Sequence, residues 1–274
     1  MKKILVATDF SAAALNAANY AADMAIAINA DLLLVNICPV PVSLGDVPSG
    51  ITTTDMMEVS VDEITQLKEQ LIKKTNGKIT IETEVKTGTF YIELENICIE
   101  TEPYIVIMGS QGKGAAERFL LGSHAVYTMK HLLWPLITVP PQVKFSSIKK
   151  IGLACDFSKV VETTPVDEIS MLVNDFAAEL HILNTGKKDE FDPETVFQSG
   201  LLQEMVKGLK PSYHLLTSDD TEKGIIDFAE KKHIDLLIIL PKKHNLFDKL
   251  MHKSHTRQFV LHSPVPVMAL HEHI

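Results

Sequence analysis

KKILVATDFS, at residues 2–11, returns as KKIGLACDFS at residues 149–158, and this recurrence decides the fold. The similarity continues, since ADLLLVN at 30–36 corresponds to AELHILN at 178–184. A spacing of about 147 residues has the size of a domain and is too long for a solenoid repeat. We therefore predict a tandem duplication with units at 1–141 and 148–274, joined by a short Pro- and Ser-bearing linker.

The composition is that of an ordinary folded protein. Of the 274 residues, 46% are hydrophobic and 22% charged, and the formal net charge is −9. Nucleic acids and anionic membranes attract basic surfaces, so neither is an expected partner. No apolar run approaches the length of a membrane span, and the three cysteines have no C-x-x-C spacing. We expect a soluble, cytoplasmic protein with reduced thiols.

Short apolar runs alternate with helical patterns in each unit. The first unit has predicted strands near 3–8, 32–37, 79–86, 104–108 and 136–140. The second has them near 150–155, 180–184, 213–217, 235–240 and 265–270. The alanine-rich segment 12–29 predicts a helix, and Ser11 is placed to cap it. Such alternation is typical of parallel sheets covered by helices on both faces, so we predict an α/β fold with two doubly wound sheets.

Glycines after the predicted fourth strand indicate a phosphate site. Gly109, Gly112, Gly122 and Ser123 form the pattern G-x-x-G-x(9)-G-S, which begins where a strand ends and finishes where a helix can begin. Glycine lets the backbone approach a phosphate closely, and a helix N-terminus attracts anions. Asp9 would face the same crevice if the first and fourth strands are neighbours. We predict an adenine-nucleotide site, with a plain turn and a capping role for Asp9 as alternatives.

Other nucleotide and catalytic motifs do not fit the sequence. GSQGKG, at residues 109–114, has Gly rather than Ser or Thr after the lysine, so it is no P-loop. The first strand is not followed by G-x-G-x-x-G, the dinucleotide pattern, and a G-x-S-x-G nucleophile elbow is also missing.

VATDFS after the first strand, with GSQGKG and then LLGSH after the fourth, resembles the universal stress proteins in a tandem form. The resemblance covers nearly the whole chain, and its glycine pattern is typical of the members that bind ATP. It implies a Rossmann-like (HUP) sheet of five parallel strands per unit, in the order 3-2-1-4-5. It also implies pairing through the fifth strands, here internally between about 136–140 and 266–270, with a homodimer left open.

The resemblance also implies a set of nucleotide-binding residues. They are Thr8, Asp9, Ile37, Met108, Gly109, Gly112, Gly122, Ser123 and His124. Asp9 would contact the ribose or the adenine edge, and Ile37 would contact adenine through its backbone. Gly112, Gly122 and Ser123 would bind the phosphates of ATP, with Mg²⁺ left open. Lys113 and Arg118, between the glycines, are secondary candidates for the γ-phosphate.

The second unit departs from this pattern. When Ser254 is aligned with Ser123, residues Pro241, His244 and Lys253 replace the glycines. Proline has no N–H to donate, and the other two side chains would fill the phosphate space. We therefore predict no ATP site in this unit. His252 and His255 have a metal-compatible spacing, but no further pair or cysteine completes a ligand set, so no metal is predicted.

Three functions remain open at this point. The preferred one is an ATP-binding regulator or sensor of the stress response, without catalytic residues, that acts on a signalling partner the sequence does not identify. The second is a slow ATPase or nucleotide-dependent transferase. The third is an interaction protein that binds no nucleotide.

Overall fold

The computed structural model describes residues 1–40, 52–112, 123–185, 193–218, 220–241 and 255–272. Within these ranges the strands are β1 Lys3–Ala7, β2 Asp31–Cys38, β3 Ile81–Thr87, β4 Ile105–Gly109, β5 Leu136–Val139, β6 Lys150–Ala154, β7 Glu179–Thr185, β8 Ser212–Leu216, β9 Leu236–Ile239 and β10 Val267–Ala269. The helices are α1 Ala12–Ile28, α2 Thr53–Thr75, α3 Phe90–Thr101, α4 Ser123–His131, α5 Val160–Thr163, α6 Val166–Phe176, α7 Pro193–Val206, α8 Thr221–Lys232 and α9 His255–His262, with a short 3-10 helix at Lys207–Leu209.

The ten strands form one continuous sheet in the order β3-β2-β1-β4-β5-β10-β9-β6-β7-β8. Each half has the predicted order 3-2-1-4-5, and all pairings within a half are parallel. The halves meet where β5 runs antiparallel to β10, with Ile137 opposite Met268. The predicted α/β fold and the predicted pairing through the fifth strands are therefore both confirmed.

Helices cover both faces of the sheet, because the strands are apolar on both sides. Residues on β1 alternate between two core clusters, with Ile4 and Val6 in one and Leu5 and Ala7 in the other. The alanines of α1 are mostly buried, which lets this helix approach the sheet closely. A buried parallel sheet is thus the scaffold on which the strand-end loops are arranged.

The first helix of the second unit differs from its counterpart. Instead of one long helix like α1, the chain forms the single turn of α5 and then α6. Pro165 stands between them, and proline both lacks an N–H and disfavours helical backbone at the preceding residue. The repeat in sequence therefore does not extend to this helix.

No helix in the described ranges combines the length and apolar character needed to cross a bilayer.

Candidate functional site

A tight turn at the carboxyl end of β1 places Asp9. The Thr8 hydroxyl oxygen accepts a hydrogen bond from Phe10 N at 3.0 Å, and the Asp9 Oδ1 accepts one from Ser11 N at 3.0 Å. Phe10 has φ of 59°, which few non-glycine residues adopt. Ser11 then caps α1, since its hydroxyl accepts from Ala14 N at 3.2 Å. The turn role that the sequence left as an alternative for Asp9 is therefore present.

The Asp9 carboxylate also lies against the glycine loop that follows β4. A Cβ built on Gly112 would be 2.8 Å from Asp9 Oδ2, so an alanine here would require the carboxylate to move. β1 pairs with β4 on one side and with β2 on the other, which is the point where the winding of the sheet reverses. Ligands of doubly wound sheets bind outside the carboxyl ends of the strands at such a point. The structure thus brings Asp9 and Gly112 together, as the pattern predicts.

Gly109 has a different reason to be glycine. A Cβ at this position would be 2.9 Å from the carbonyl carbon of Ala13 and 3.1 Å from the nitrogen of Ala14. These are backbone atoms in the first turn of α1, so they cannot rotate away as a side chain could. Gly109 is therefore required for α1 to pack against the end of β4, whether or not a ligand binds beside it.

Met108 and Ile37 lie at the ends of the strands on either side of β1. Met108 pairs with Ala7 and belongs to a core cluster, with 7% of its surface exposed. Its side chain is therefore committed to packing, and its backbone is the part that continues towards the glycine loop. Ile37 is half-buried and pairs with Lys86 of β3.

The helix predicted after the glycine loop begins at Ser123. His124 lies in its first turn, exposed, with its ring edge-on to Phe90 at a centroid distance of 4.9 Å. Gly122 and the two loop cations Lys113 and Arg118 lie outside the described residues.

Sequence reasoning missed Asn36, which positions the turn from β2. Its side-chain nitrogen donates to the Thr8 carbonyl oxygen at 2.8 Å, and the residue is 7% exposed. The signal was available, because the repeat retains asparagine at position 184. There the side chain donates to the Cys155 carbonyl oxygen at 2.9 Å. A polar residue kept inside both apolar strands indicates a buried hydrogen bond.

The counterpart of the site in the second unit is only partly within the described ranges. Asp156 is exposed, and Pro241 follows the end of β9. His244, His252, Lys253 and Ser254 lie outside the described residues, so the predicted loss of this site stays a prediction. His255 is within them, and its Nδ1 lies 2.6 Å from Glu222 Oε1.

Comparisons with known proteins agree with the fold. A family model described as the universal stress protein family matches residues 1–140 and again 147–271. A universal stress protein of Methanocaldococcus jannaschii is 27% identical over 140 residues, which are 50% of this chain and 81% of that protein.

A solved structure of another protein shows the same architecture. A universal stress protein from Archaeoglobus fulgidus superposes with a TM-score of 0.72 at 17% identity, covering 98% of both chains. A universal stress protein family protein from Arabidopsis thaliana with AMP bound matches 51% of this chain and 92% of its own, at 20% identity and a TM-score of 0.35. The first of these similarities shows the tandem fold alone.

Proposed function

The chain belongs to the universal stress protein family, and on that premise we propose that its first unit binds an adenine nucleotide. The proposed ligand is ATP, and the proposed role is that of a stress-response regulator or sensor rather than a turnover enzyme. A tandem chain of this kind would report its nucleotide state to a partner through its surface.

The contact between Asp9 and Gly112 is the observation that carries this proposal. A carboxylate at the end of β1 accepts hydrogen bonds, as ribose hydroxyls and an adenine amine require. Gly112, opposite Asp9, has no side chain, and a Cβ on it would be only 2.8 Å from the Asp9 carboxylate. A hydrogen-bond acceptor, Asp9, and backbone without a side chain, at Gly112, therefore lie together where the winding of the sheet reverses. This combination fits a nucleotide.

The roles of the individual residues follow from their chemistry. Asp9 would bind the ribose or the adenine edge, and the backbone of Ile37 would contact adenine. Backbone N–H groups at Gly112 and Gly122, with the start of α4 at Ser123, would bind the phosphates. Any Mg²⁺ would be bound largely by phosphate oxygens and water.

Calorimetry with ATP, ADP and AMP on the full chain tests the site. Gly112→Ala should weaken ATP binding at least tenfold, since its Cβ would displace the Asp9 carboxylate. Gly200→Ala is the matched control, because a Cβ there meets nothing within 4 Å. Wild-type affinity in Gly112→Ala would contradict the assignment, provided that circular dichroism shows both variants folded.

The proposed absence of turnover is tested separately. Phosphate release from MgATP should stay well below the ~1 s⁻¹ at which ordinary enzymes begin. Sustained multiple turnover above that rate would instead favour an ATPase or a transferase.

A further inference from the structure

Two histidines of the second unit meet on one face of the sheet, far along the chain from the nucleotide motif. His181 lies on β7 and His214 on the edge strand β8. His214 is directly opposite Leu183, so His181, two residues before Leu183, is its diagonal neighbour. The Nδ1 of His181 is 3.0 Å from the Nε2 of His214, and the two rings are nearly parallel, at 27°. The ring of Phe228, from α8, packs against His214 at a centroid distance of 4.7 Å.

The outer nitrogen of His181 makes this pair unusual. Its Nε2 is buried and makes no hydrogen bond, and Glu179 Oε2 lies 3.5 Å from it. A buried ring nitrogen that makes only this long contact is incompletely satisfied, and a shorter hydrogen bond to Glu179 would remove that cost.

We propose that His181 and His214 bind a divalent transition-metal ion, with Glu179 as a positioning residue. The ion would lie between His181 Nδ1 and His214 Nε2, the two nitrogens that already face each other. A histidine that binds a metal usually directs its other N–H to a carboxylate, which fixes the tautomer. Glu179 stands on the Nε2 side of His181, where that carboxylate is required.

The distances are compatible with this site once the hydrogen bond between the rings is replaced. Two nitrogens at ~2.05 Å from a tetrahedral Zn²⁺ are about 3.3 Å apart, so the pair would separate by about 0.3 Å and both rings would turn to aim their lone pairs at the ion. β8 is the last strand of the sheet and pairs on one side with β7, so His214 has a neighbouring strand on one side. Imidazole suits Zn²⁺ and Cu²⁺.

Water would supply the remaining ligands. Among the described residues no group of three His, Cys, Asp or Glu side chains is arranged to bind a metal. The site is therefore one of exchangeable metal rather than a closed structural centre, which would need four protein ligands.

The first unit supplies an internal comparison. At the positions of His181 and His214 it has Leu33 and Glu84, as the strand registers show. Glu84 is instead paired with Lys86 at 3.0 Å. The histidine pair thus belongs to the second unit, and His181→Leu introduces the residue that the same fold already tolerates at that position.

The test is a Zn²⁺ titration of the EDTA-treated, dialysed, untagged full chain, followed by calorimetry and by thermal unfolding. One Zn²⁺ per chain should bind and raise Tm. His181→Leu and His214→Gln should each weaken binding at least tenfold, and Glu179→Gln by up to about tenfold. The control, His252→Ala with His255→Ala, should bind like the wild type.

Histidine ring nitrogens give a readout that a purely structural role would not change. Zn²⁺ should shift the ¹⁵N resonances of His181 Nδ1 and His214 Nε2 selectively. A wild-type chain that binds no Zn²⁺, wild-type affinity in His181→Leu, or a loss of binding confined to the control would each overturn the proposal and leave a plain histidine–histidine hydrogen bond.

Discussion

The turns that end β1 and β6 share a hydrogen bond between aspartate and serine, although the residues around them differ. Phe10 and Phe157 both adopt a left-handed backbone, with φ of 59° and 52°. In each turn the aspartate Oδ1 accepts from the serine nitrogen two residues on, at 3.0 Å after Asp9 and 3.1 Å after Asp156. The duplicated D-F-S sequence therefore specifies a turn, independently of any ligand.

Beyond the serine, the two turns diverge. Ser11 caps α1 itself, whereas the N–H of Val160 in α5 is satisfied at 2.9 Å by Gln198, which reaches over from α7. Asp9 is half-buried and Asp156 is exposed. The same aspartate thus lies against Gly112 in one unit and is exposed in the other. The turn is therefore a structural feature of both units, and the residues around it determine whether its aspartate can bind a ligand.

Substituting the two aspartates gives the largest expected contrast. Asp9→Ala should weaken ATP binding by at least tenfold, since one charge-assisted hydrogen bond is worth roughly 1.5–3 kcal/mol. Asp156→Ala should leave the affinity unchanged, because the second unit is predicted to bind no nucleotide. Calorimetry of both variants measures this, with one ATP per wild-type chain. Two equal sites, or equal losses in the two variants, would remove the proposed difference between the units.

Replacing Gly109 with the leucine found at its counterpart tests how closely α1 packs against the end of β4. The strand registers place Leu240, after β9, at the position of Gly109 in β4, and this corrects the sequence alignment, which put Pro241 there. Gly109→Leu should reduce the free energy of unfolding by about 3 kcal/mol or more, because its Cβ would meet the backbone of α1.

Urea denaturation gives the measurement for this substitution. Gly208→Leu is the control, since a Cβ there has open space. If Gly109→Leu unfolded at the wild-type midpoint, α1 could not lie as close to β4 as the structure has it.

Most of the scaffold could be predicted from the sequence, because the long repeat and the alternation of apolar runs with helical patterns indicate it directly. β1 and β4 lie at Lys3–Ala7 and Ile105–Gly109, within a residue of their predicted ranges 3–8 and 104–108. The internal pairing of β5 with β10 needed the family resemblance, since no residue pattern specifies which edges meet. The break between α5 and α6 could have been read from Pro165.

The site was less predictable, because its glycines serve different purposes that share one sequence pattern. Gly109 faces helix backbone, whereas Gly112 faces a carboxylate. Only the positions of α1 and Asp9 distinguish these two cases, and both depend on tertiary packing. The His181–His214 pair was equally hidden, since its members are 33 residues apart and meet through strand register.

The buried asparagines should show where the units are equivalent. Asn36→Ala and Asn184→Ala each leave a carbonyl oxygen without its partner, at a cost of roughly 1–3 kcal/mol. Their bonds to the carbonyl oxygens differ by only 0.1 Å, 2.8 Å against 2.9 Å. Asn36 also accepts a hydrogen bond from Cys38 Sγ at 3.3 Å, but a thiol is a weak donor, so the two losses in unfolding free energy should be similar. Urea denaturation of both variants provides the comparison, and clearly unequal losses would mean that the two turns do not contribute equally to stability.

The smallest expected effects concern the histidines at the starts of α4 and α9. His124 contacts the ring of Phe90, whereas the exposed His255 contacts the Glu222 carboxylate. His124→Ala and His255→Ala should each change the free energy of unfolding by less than about 1 kcal/mol. Salt separates them, because ~1 M NaCl shortens the Debye length to about 3 Å and screens a contact with the Glu222 carboxylate but not the aromatic one. Urea midpoints at low and high salt would measure this. An effect of His255→Ala that persists at high salt would show that its contact with Glu222 is not ionic, and that the two helix starts are more alike than their contacts indicate.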